Sequence, residues 1–530
     1  MAGFTRYFRF IAWRERVNSG LWLIITCVFT AVCAWMYPGL FDTGGLDEMA
    51  DMLASPAMIG MMGPLYPDGA LTIATVFSQT MSVWVVLAVS VMNIFLVNRH
   101  TRADEESGRL ELLRSLPVGR LASIAAVTAF AFLLNLLMAV GTALLLLAAD
   151  MEGTTVSGVF AYAGAIGAAG FVFAAAALLS AQLFTTARGA LGGAMGLLGA
   201  AYVVRAGGDV SGGWLAYLSP IGVGARVFAF HLDDARMLGV LLLESAVLTG
   251  LSFVIAARRD LGAGVFPARK GKANASWFLR GPLGLAWRLT RNATFIWCGV
   301  MFIVAAMYGA LIGDMTEFVE SNEAFRQMLS AGASAGDITA SLTDQYVALM
   351  MGMMALLACV PVLNLTAHLR HEEMHGRLEP VLACAVPRTA MFGSYLLIAF
   401  MTSASAMVCA ALGLYVPAAG QDLVSLSVCM KAALSYLPVV WVMMGICTLL
   451  IGFWPRLTPL CWVVFAYSFA MVYLGRLFNL PDWTARITPF GHVPQIPVQS
   501  FAAAPLLAMT ALAAALCAAG VWRFARRNIH

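Results

Sequence analysis

The chain has 530 residues, of which 61% are hydrophobic and only 11% are charged, and its formal net charge is +4. Soluble globular proteins carry about 25% charged residues, so this composition excludes a soluble globular fold. The sequence therefore predicts an integral membrane protein.

Apolar runs long enough to cross about 30 Å of hydrocarbon recur along the whole chain. They predict twelve transmembrane helices, at 21–37, 76–97, 121–148, 158–184, 189–204, 237–257, 294–313, 346–366, 390–416, 425–452, 460–475 and 501–522. The predicted fold class is an all-α integral membrane protein. Before the first and the seventh span, arginines alternate with aromatic residues, which predicts helices that lie at the membrane interface.

The distribution of charge predicts the orientation, because cytoplasmic loops of membrane proteins are enriched in Lys and Arg. With the N-terminus in the cytoplasm, 25 of the 32 Lys and Arg residues lie on the cytoplasmic side. The segments 38–75 and 314–345, which would then lie outside, contain eleven carboxylates and one arginine. We therefore predict cytoplasmic N- and C-termini and a multi-pass protein of the bacterial cytoplasmic membrane.

The loop after the second span is repeated after the eighth span. Residues 102–111 read RADEESGRLE and residues 370–379 read RHEEMHGRLE, an offset of 268. Two shorter matches follow the same order along the chain, Ala12-Trp-Arg14 with Ala286-Trp-Arg288 and 218–222 with 487–491. We therefore predict two parallel six-helix repeats that form a pseudo-dimer. The predicted first half is 1–257, the basic cytoplasmic linker with a second interfacial helix is 258–292, and the second half is 293–530.

The repeated loop places acidic and apolar residues on the side that is otherwise basic. After Gly376, the apolar residues Leu378, Val381 and Leu382 follow helical spacing, and Glu379 lies off that face. A loop that only carries positive charge does not require Gly-Arg-Leu-Glu in both copies. We interpret the copies, at 104–117 and 372–385, as short amphipathic helices that provide docking surfaces.

The pattern Glu-Glu-x-x-Gly-x-Leu-Glu, between the second and third spans of a six-span unit, resembles the signature of type 2 ABC exporter permeases. The first copy carries it in Glu105, Glu106, Gly108, Leu110 and Glu111, and the second copy in Glu373, Gly376, Leu378 and Glu379. In that family the segment is a coupling helix that inserts into a cleft of an ATPase subunit. The resemblance covers nearly the whole chain, because the helix before the first span, six spans per half and Pro-containing segments similar to re-entrant outer helices also fit. Two halves fused in one chain look most like the polyketide and tetronasin-type antibiotic exporter permeases.

The resemblance implies a set of docking residues in each copy. They are Glu105, Glu106, Gly108, Arg109, Leu110 and Glu111 in the first copy, and Glu373, Gly376, Arg377, Leu378 and Glu379 in the second. Met374 replaces one acid and Pro380 follows Glu379, so the two docking sites are expected to be unequal. The implied partner is a pair of cytoplasmic ABC ATPase subunits, identical or different, which bind ATP and Mg. No cofactor is expected on this chain itself.

Together these features predict the permease subunit of an ATP-driven exporter of hydrophobic or amphipathic, drug-like compounds. The chain is not expected to be an enzyme, because Ala268–Lys272 is basic but lacks the spacing of a phosphate-binding loop. The expected partners are the ATPases, the lipid bilayer and a small hydrophobic substrate, and no nucleic acid. The alternative is an ion-coupled secondary transporter of the major facilitator type, which also has two parallel six-span halves. A transporter of the major facilitator type would have a shorter loop after the second span and paired charges inside the membrane.

Residues His371–His375 match the zinc-binding pattern HExxH. The first half has Ala103 and Ser107 at the equivalent positions, and no third ligand follows. We therefore expect no metal site.

Glu244 is the one carboxylate that lies well within a predicted span. Ionisable groups at such positions face a partner or a cavity. We consider two roles for it, an ion pair with Arg205, Arg226 or Arg236, and a role in substrate passage.

Overall fold

The computed structural model describes residues 3–41, 53–69, 71–115, 119–149, 151–266, 274, 276–321, 335–384, 386–419, 424–474, 482–499 and 501–527. These residues contain twelve helices that are long and apolar enough to cross a membrane, which confirms the predicted all-α membrane fold. The chain divides into two compact units, Met1–Gly271 and Lys272–His530. The division falls inside the predicted linker 258–292.

Within its described residues, the first unit has six long α-helices and three short ones, besides shorter 3-10, π- and α-helical turns. They are α1 (Phe4–Phe41), α2 (Pro56–Met62), α3 (Ile73–Asn98), α4 (Arg109–Arg114), α5 (Ala122–Ala149), α6 (Val156–Leu183), α7 (Ala187–Val210), α8 (Pro220–Ala225) and α9 (Ala235–Arg258). Helix α6 is the most buried of the long helices and packs against α3, α5 and α9. Its glycines allow this packing: a Cβ at Gly170 would lie 2.5 Å from the side chain of Asn135.

The second unit also has nine helices within its described residues. They are α10 (Pro282–Ser321), α11 (Ala335–Met374), α12 (Leu378–Leu382), α13 (Arg388–Ala418), α14 (Leu426–Ser435), α15 (Leu437–Phe453), α16 (Leu460–Leu474), α17 (Asp482–Ile487) and α18 (Ala503–Arg526). Close helix pairs again depend on glycine. A Cβ at Gly309 of α10 would collide with the carbonyl of Leu414 in α13, and one at Gly520 of α18 would collide with Thr448 in α15.

The tenth span, predicted as a single helix over 425–452, is divided in two. Helix α14 ends at Ser435, and α15 begins at Leu437, with Pro438 in its first turn. Proline has no N–H to donate, and its ring clashes with the carbonyl four residues earlier; a helix can therefore end before it, as here, although α11 continues through Pro361. The apolar pattern alone gave the correct span and missed this break.

The predicted interfacial segments differ in form from the expectation. Helix α1 runs without a break from Phe4, so the segment that carries the N-terminal arginines continues directly into the first span. Before the seventh span, Trp277–Arg280 forms a short 3-10 helix, and α10 then begins at Pro282. Ile11 is buried in the first unit, while Trp13 is exposed.

Two short helices precede the last long helix of each unit. In the first unit they are the 3-10 helix Trp214–Leu218 and α8, and in the second they are α17 and the 3-10 helix Pro489–His492. The proline of the repeated sequence match begins the second short helix in both cases. Much of the acidic segments 38–75 and 314–345, and residues 267–273 of the linker, lie outside the described residues. The orientation and the duplication stay predictions.

Candidate functional site

Both copies of the repeated motif lie where the second long helix of a unit ends. Helix α3 is extended by a π-helical turn, Arg99–Ala103, and a last turn, Asp104–Glu106, whereas α11 runs straight to Met374. The chain then turns at a glycine with positive φ, 74° at Gly108 and 68° at Gly376. Glycine adopts this left-handed conformation without the steric penalty that a Cβ imposes. No atom beyond the chain neighbours lies within 4 Å of a Cβ built at either position, so the backbone, rather than crowding, favours glycine there.

A short helix follows each glycine, α4 in the first unit and α12 in the second. The motif leucines, Leu110 and Leu378, are buried and fix one side of each helix. The charged motif residues Arg109, Glu111, Arg377 and Glu379 are exposed on the other side. Two large apolar side chains are exposed beside them, Leu112 at 74% and Met374 at 64%. Each copy therefore presents a mixed charged and apolar face.

The carboxylate of Glu105 points into the protein, away from this exposed face. It accepts hydrogen bonds from both terminal nitrogens of Arg259, each 2.8 Å long, and from Arg102 at 2.8 Å. The fourth donor is the backbone N–H of Gly262, 2.7 Å from Oε1. Both carboxylate oxygens are therefore occupied, and the side chain is only 5% exposed.

Glu373 occupies the equivalent place in the second unit. Its Oε2 lies 2.9 Å from Arg370 and 2.5 Å from Arg527, and the side chain is 1% exposed. Its other oxygen, Oε1, is buried and has no hydrogen-bond partner among the described residues. The two glutamates thus occupy equivalent positions in their units. Glu105 accepts hydrogen bonds at both carboxylate oxygens, whereas Glu373 does so at only one among the described residues.

Arg259 and Arg527 occupy matching positions at the ends of the two last helices. Each is the residue that follows the helix, and its N–H donates to the carbonyl four residues earlier, in Ile255 and Arg523 respectively. The carbonyl of Arg259 accepts from Arg120, and that of Arg527 accepts from Arg388. The offset of 268 that relates the two motif copies relates every one of these arginines and glutamates: 102 with 370, 105 with 373, 120 with 388 and 259 with 527.

The first unit has a further set of ion pairs around its motif. Asp104 binds Arg14 of α1 at 2.8 Å, and Glu15 of α1 binds Arg99 at 2.7 Å and His100 at 2.8 Å. In the second unit Glu372 lies 3.4 Å from Arg377 and 3.6 Å from His368, and Leu289 follows Arg288 as Glu15 follows Arg14. The first motif is therefore tied to the first helix of its unit by ion pairs that Leu289 cannot form.

Glu106 connects the first motif to a third helix. Its Oε2 accepts a hydrogen bond of 2.8 Å from the N–H of Ala187, the first residue of α7. A carboxylate at a helix N-terminus satisfies a free N–H and interacts favourably with the helix dipole. Glu106 itself is exposed, so this contact lies at the protein surface.

The two remaining sequence candidates are not part of this site. Glu244 lies in α9, and its Oε2 is buried without a hydrogen-bond partner among the described residues. Of the three arginines considered as its partner, Arg205 and Arg226 bind Asp209 instead, at 3.4 Å and 2.7 Å, and in the described part of the chain no ion pair joins Glu244 to Arg236. The His371 and His375 rings lie 4.2 Å apart, and no group of three side chains able to hold a metal occurs among the described residues.

Sequence reasoning missed the arginines that bind the motif glutamates. Arg259 and Arg527 were counted only as positive charge of the linker and the C-terminal tail. The sequence nevertheless contains a signal for them. The offset of 268 that relates Arg102 to Arg370 and Glu105 to Glu373 also relates Arg259 to Arg527. Ion pairs with Glu15 had no comparable signal, because the second unit has no equivalent residue.

Comparison with known proteins identifies the family. A family model described as the C-terminal domain of the multidrug efflux system permease Rv1217c matches residues 279–525. The multidrug efflux system permease protein Rv1217c of Mycobacterium tuberculosis (strain ATCC 25618 / H37Rv) is 33% identical over 529 residues, which cover 98% of this chain and 93% of that protein. The chain belongs to the multidrug efflux system permease family. As an efflux permease with twelve apolar helices, it is a multi-pass membrane transport protein and not an enzyme.

Proposed function

We propose that this efflux permease is the membrane-spanning subunit of an ATP-driven exporter of the type 2 ABC class. Two cytoplasmic ATPase subunits, identical or different, dock on its two motif copies and supply ATP hydrolysis with bound ATP and Mg. The exported compounds are hydrophobic or amphipathic and drug-like, in keeping with the multidrug name of its relative. We infer that it is one of the double-length, polyketide and tetronasin-type exporter permeases, which the sequence resembles in its two predicted six-span halves.

The exposed faces of the motif copies carry this proposal. We call them the docking faces: Arg109, Glu111 and Leu112 in the first unit, and Met374, Arg377 and Glu379 in the second. Each combines both signs of charge with one exposed apolar side chain, and each is backed by a buried leucine. An exposed apolar side chain with charged residues around it is typical of surfaces that form specific protein–protein contacts. A solvated loop between two spans needs neither feature.

The decisive experiment is co-purification from the native membrane in mild detergent. We expect an ATPase subunit with the wild-type permease and its loss from the double variant Glu111→Lys, Glu379→Lys, because reversed charges oppose the complementary surface of the partner. Glu152→Lys is the matched control, since Glu152 is an exposed glutamate in the turn before α6, far along the chain from either docking face. It should keep the ATPase.

Transport in inside-out vesicles tests the energy source. We expect drug uptake that requires ATP and persists when a protonophore removes the ion gradient. An ATPase that stays bound to the folded double variant, or uptake that follows the gradient and ignores ATP, would contradict the proposal.

A further inference from the structure

We propose that Arg259 and Arg527 are positioning residues that fasten the end of each unit's last helix to the motif of the same unit. Movement of a docked motif is thereby carried to that last helix. The inference rests on the proposed function, since it assigns a path for the displacement that a docked ATPase imposes. We call Arg102, Glu105 and Arg259 the first clamp, and Arg370, Glu373 and Arg527 the second clamp.

The geometry of the clamps points to force transmission rather than to docking. Glu105 and Glu373 are buried, so neither carboxylate belongs to a docking face. Each lies three residues before its glycine turn and joins two parts of the chain that are 154 residues apart, Glu105 with Arg259 and Glu373 with Arg527. Both pairs are charge-assisted, and Arg259–Glu105 is also bidentate, which is the strongest kind of hydrogen-bonded contact between side chains.

The position of the clamp arginines makes the connection direct. Each begins the segment that follows the last long helix, and each is held on both sides, by its own N–H to the helix and by its carbonyl to Arg120 or Arg388. Arg120 lies two residues before α5, and Arg388 is the first residue of α13; these helices are the third spanning helices of their units. A shift of the motif is therefore passed to the last helix through the carboxylate of Glu105 or Glu373. It is passed to the third helix through the backbone carbonyl of Arg259 or Arg527.

The first clamp is more extensive than the second. Arg259 also donates to Gln182 near the end of α6 at 2.7 Å, and Arg102 donates to the carbonyls of Gly262 and Ala263 at 3.3 Å and 2.9 Å. In the second clamp only one glutamate oxygen is bonded among the described residues. Loss of the first clamp should therefore weaken coupling more than loss of the second.

The test measures coupling in the reconstituted complex of permease and ATPase, as drug molecules exported per ATP hydrolysed. The variants are Arg259→Gln and Arg527→Gln, and the matched controls are Arg258→Gln and Arg526→Gln, which remove an exposed arginine one residue earlier. We expect both clamp variants to bind the ATPase through intact docking faces. The ratio should fall about tenfold for Arg259→Gln and severalfold for Arg527→Gln, and it should stay at the wild-type value in both controls.

Conservative variants keep the test decisive if Arg259→Gln does not fold. Arg259→Lys retains the charge but not the two parallel hydrogen bonds, and we expect an intermediate ratio. A wild-type ratio in any clamp variant that retains its ATPase overturns the inference and leaves the proposed function standing. Absence of an ATPase from the wild-type complex overturns the proposed function, and this inference with it.

Discussion

The guanidinium of Arg259 donates two parallel hydrogen bonds to the carboxylate of Glu105, each 2.8 Å long. Replacement of Glu105 by alanine leaves Arg102, which is 1% exposed, without its carboxylate partner. Breaking a buried ion pair in this way costs about 3–5 kcal/mol. We therefore expect the free energy of unfolding of Glu105→Ala, measured in detergent micelles, to fall by about that amount.

The exposed Glu111 provides the control for this prediction. Glu111→Ala removes a glutamate from the same motif and should change the free energy of unfolding by less than about 0.5 kcal/mol. Glu373→Ala should lie between the two, because one of its oxygens has no partner among the described residues. Equal stability of Glu105→Ala and Glu111→Ala would show that the buried pair contributes nothing.

The side-chain amides of Asn93 and Asn135 form a reciprocal pair between α3 and α5. Each Nδ2 donates to the Oδ1 of the other residue, at 3.0 Å and 2.8 Å, and both side chains are buried. Either alanine variant leaves the other amide without this partner, at a cost of about 1–3 kcal/mol. A double-mutant cycle should give a coupling energy of about 0.6 kcal/mol, as for other hydrogen bonds between membrane helices. Strictly additive losses would mean that the two amides are energetically independent.

A substitution at Gly108, which forms a left-handed turn, should disturb the first docking face without changing any of its residues. Gly108→Ala forces a Cβ into that conformation, which costs about 1–2 kcal/mol, while Gly108→Asn should cost less because Asn tolerates it. We expect co-purified ATPase to decrease in the order wild type, Asn, Ala. Gly192→Ala is the control, since Gly192 is an exposed helical glycine with open space around it and should be neutral or slightly stabilising. Equal ATPase recovery from all four proteins would contradict this prediction.

Glu244 of α9 has a buried oxygen without a hydrogen-bond partner among the described residues, so nothing compensates its charged form. Glu244→Gln cannot ionise and should raise the free energy of unfolding by about 1 kcal/mol. If the carboxylate faces the substrate path, the same variant exports cationic drugs more slowly and neutral drugs at the wild-type rate. Glu152→Gln is the control for both measurements. Equal slowing of cationic and neutral drugs would exclude a charge-based role in passage.

The sequence predicts the transmembrane helices but does not predict the clamps. Long apolar runs identify the twelve helices because the bilayer demands a fixed length of apolar chain. The break at Pro438 could not be predicted from proline alone, since α11 continues through Pro361 and α13 through Pro417. The burial of Glu105 could not be predicted, because the sequence pattern of a glutamate at a helix end is the same whether it faces water or an arginine 154 residues away.

The site was predicted in its position and only partly in its arrangement. The motif search located both copies, and the glycines and leucines that shape them occupy the expected places. The sequence motif does not distinguish its acidic residues from one another. In the structure Glu111 and Glu379 are exposed, whereas Glu105 and Glu373 are buried. That separation depends on Arg259 and Arg527, which only the folded chain brings to the motif.

Each clamp is closed within its own unit: Arg259 belongs to the unit of Glu105, and Arg527 to the unit of Glu373. A gene cut between the codons for residues 267 and 273 would therefore separate no clamp residue from its partner. Two half-molecules produced from separate genes would each retain a complete arginine–glutamate fastening. With respect to this feature, a fused chain and a pair of single-length chains are interchangeable.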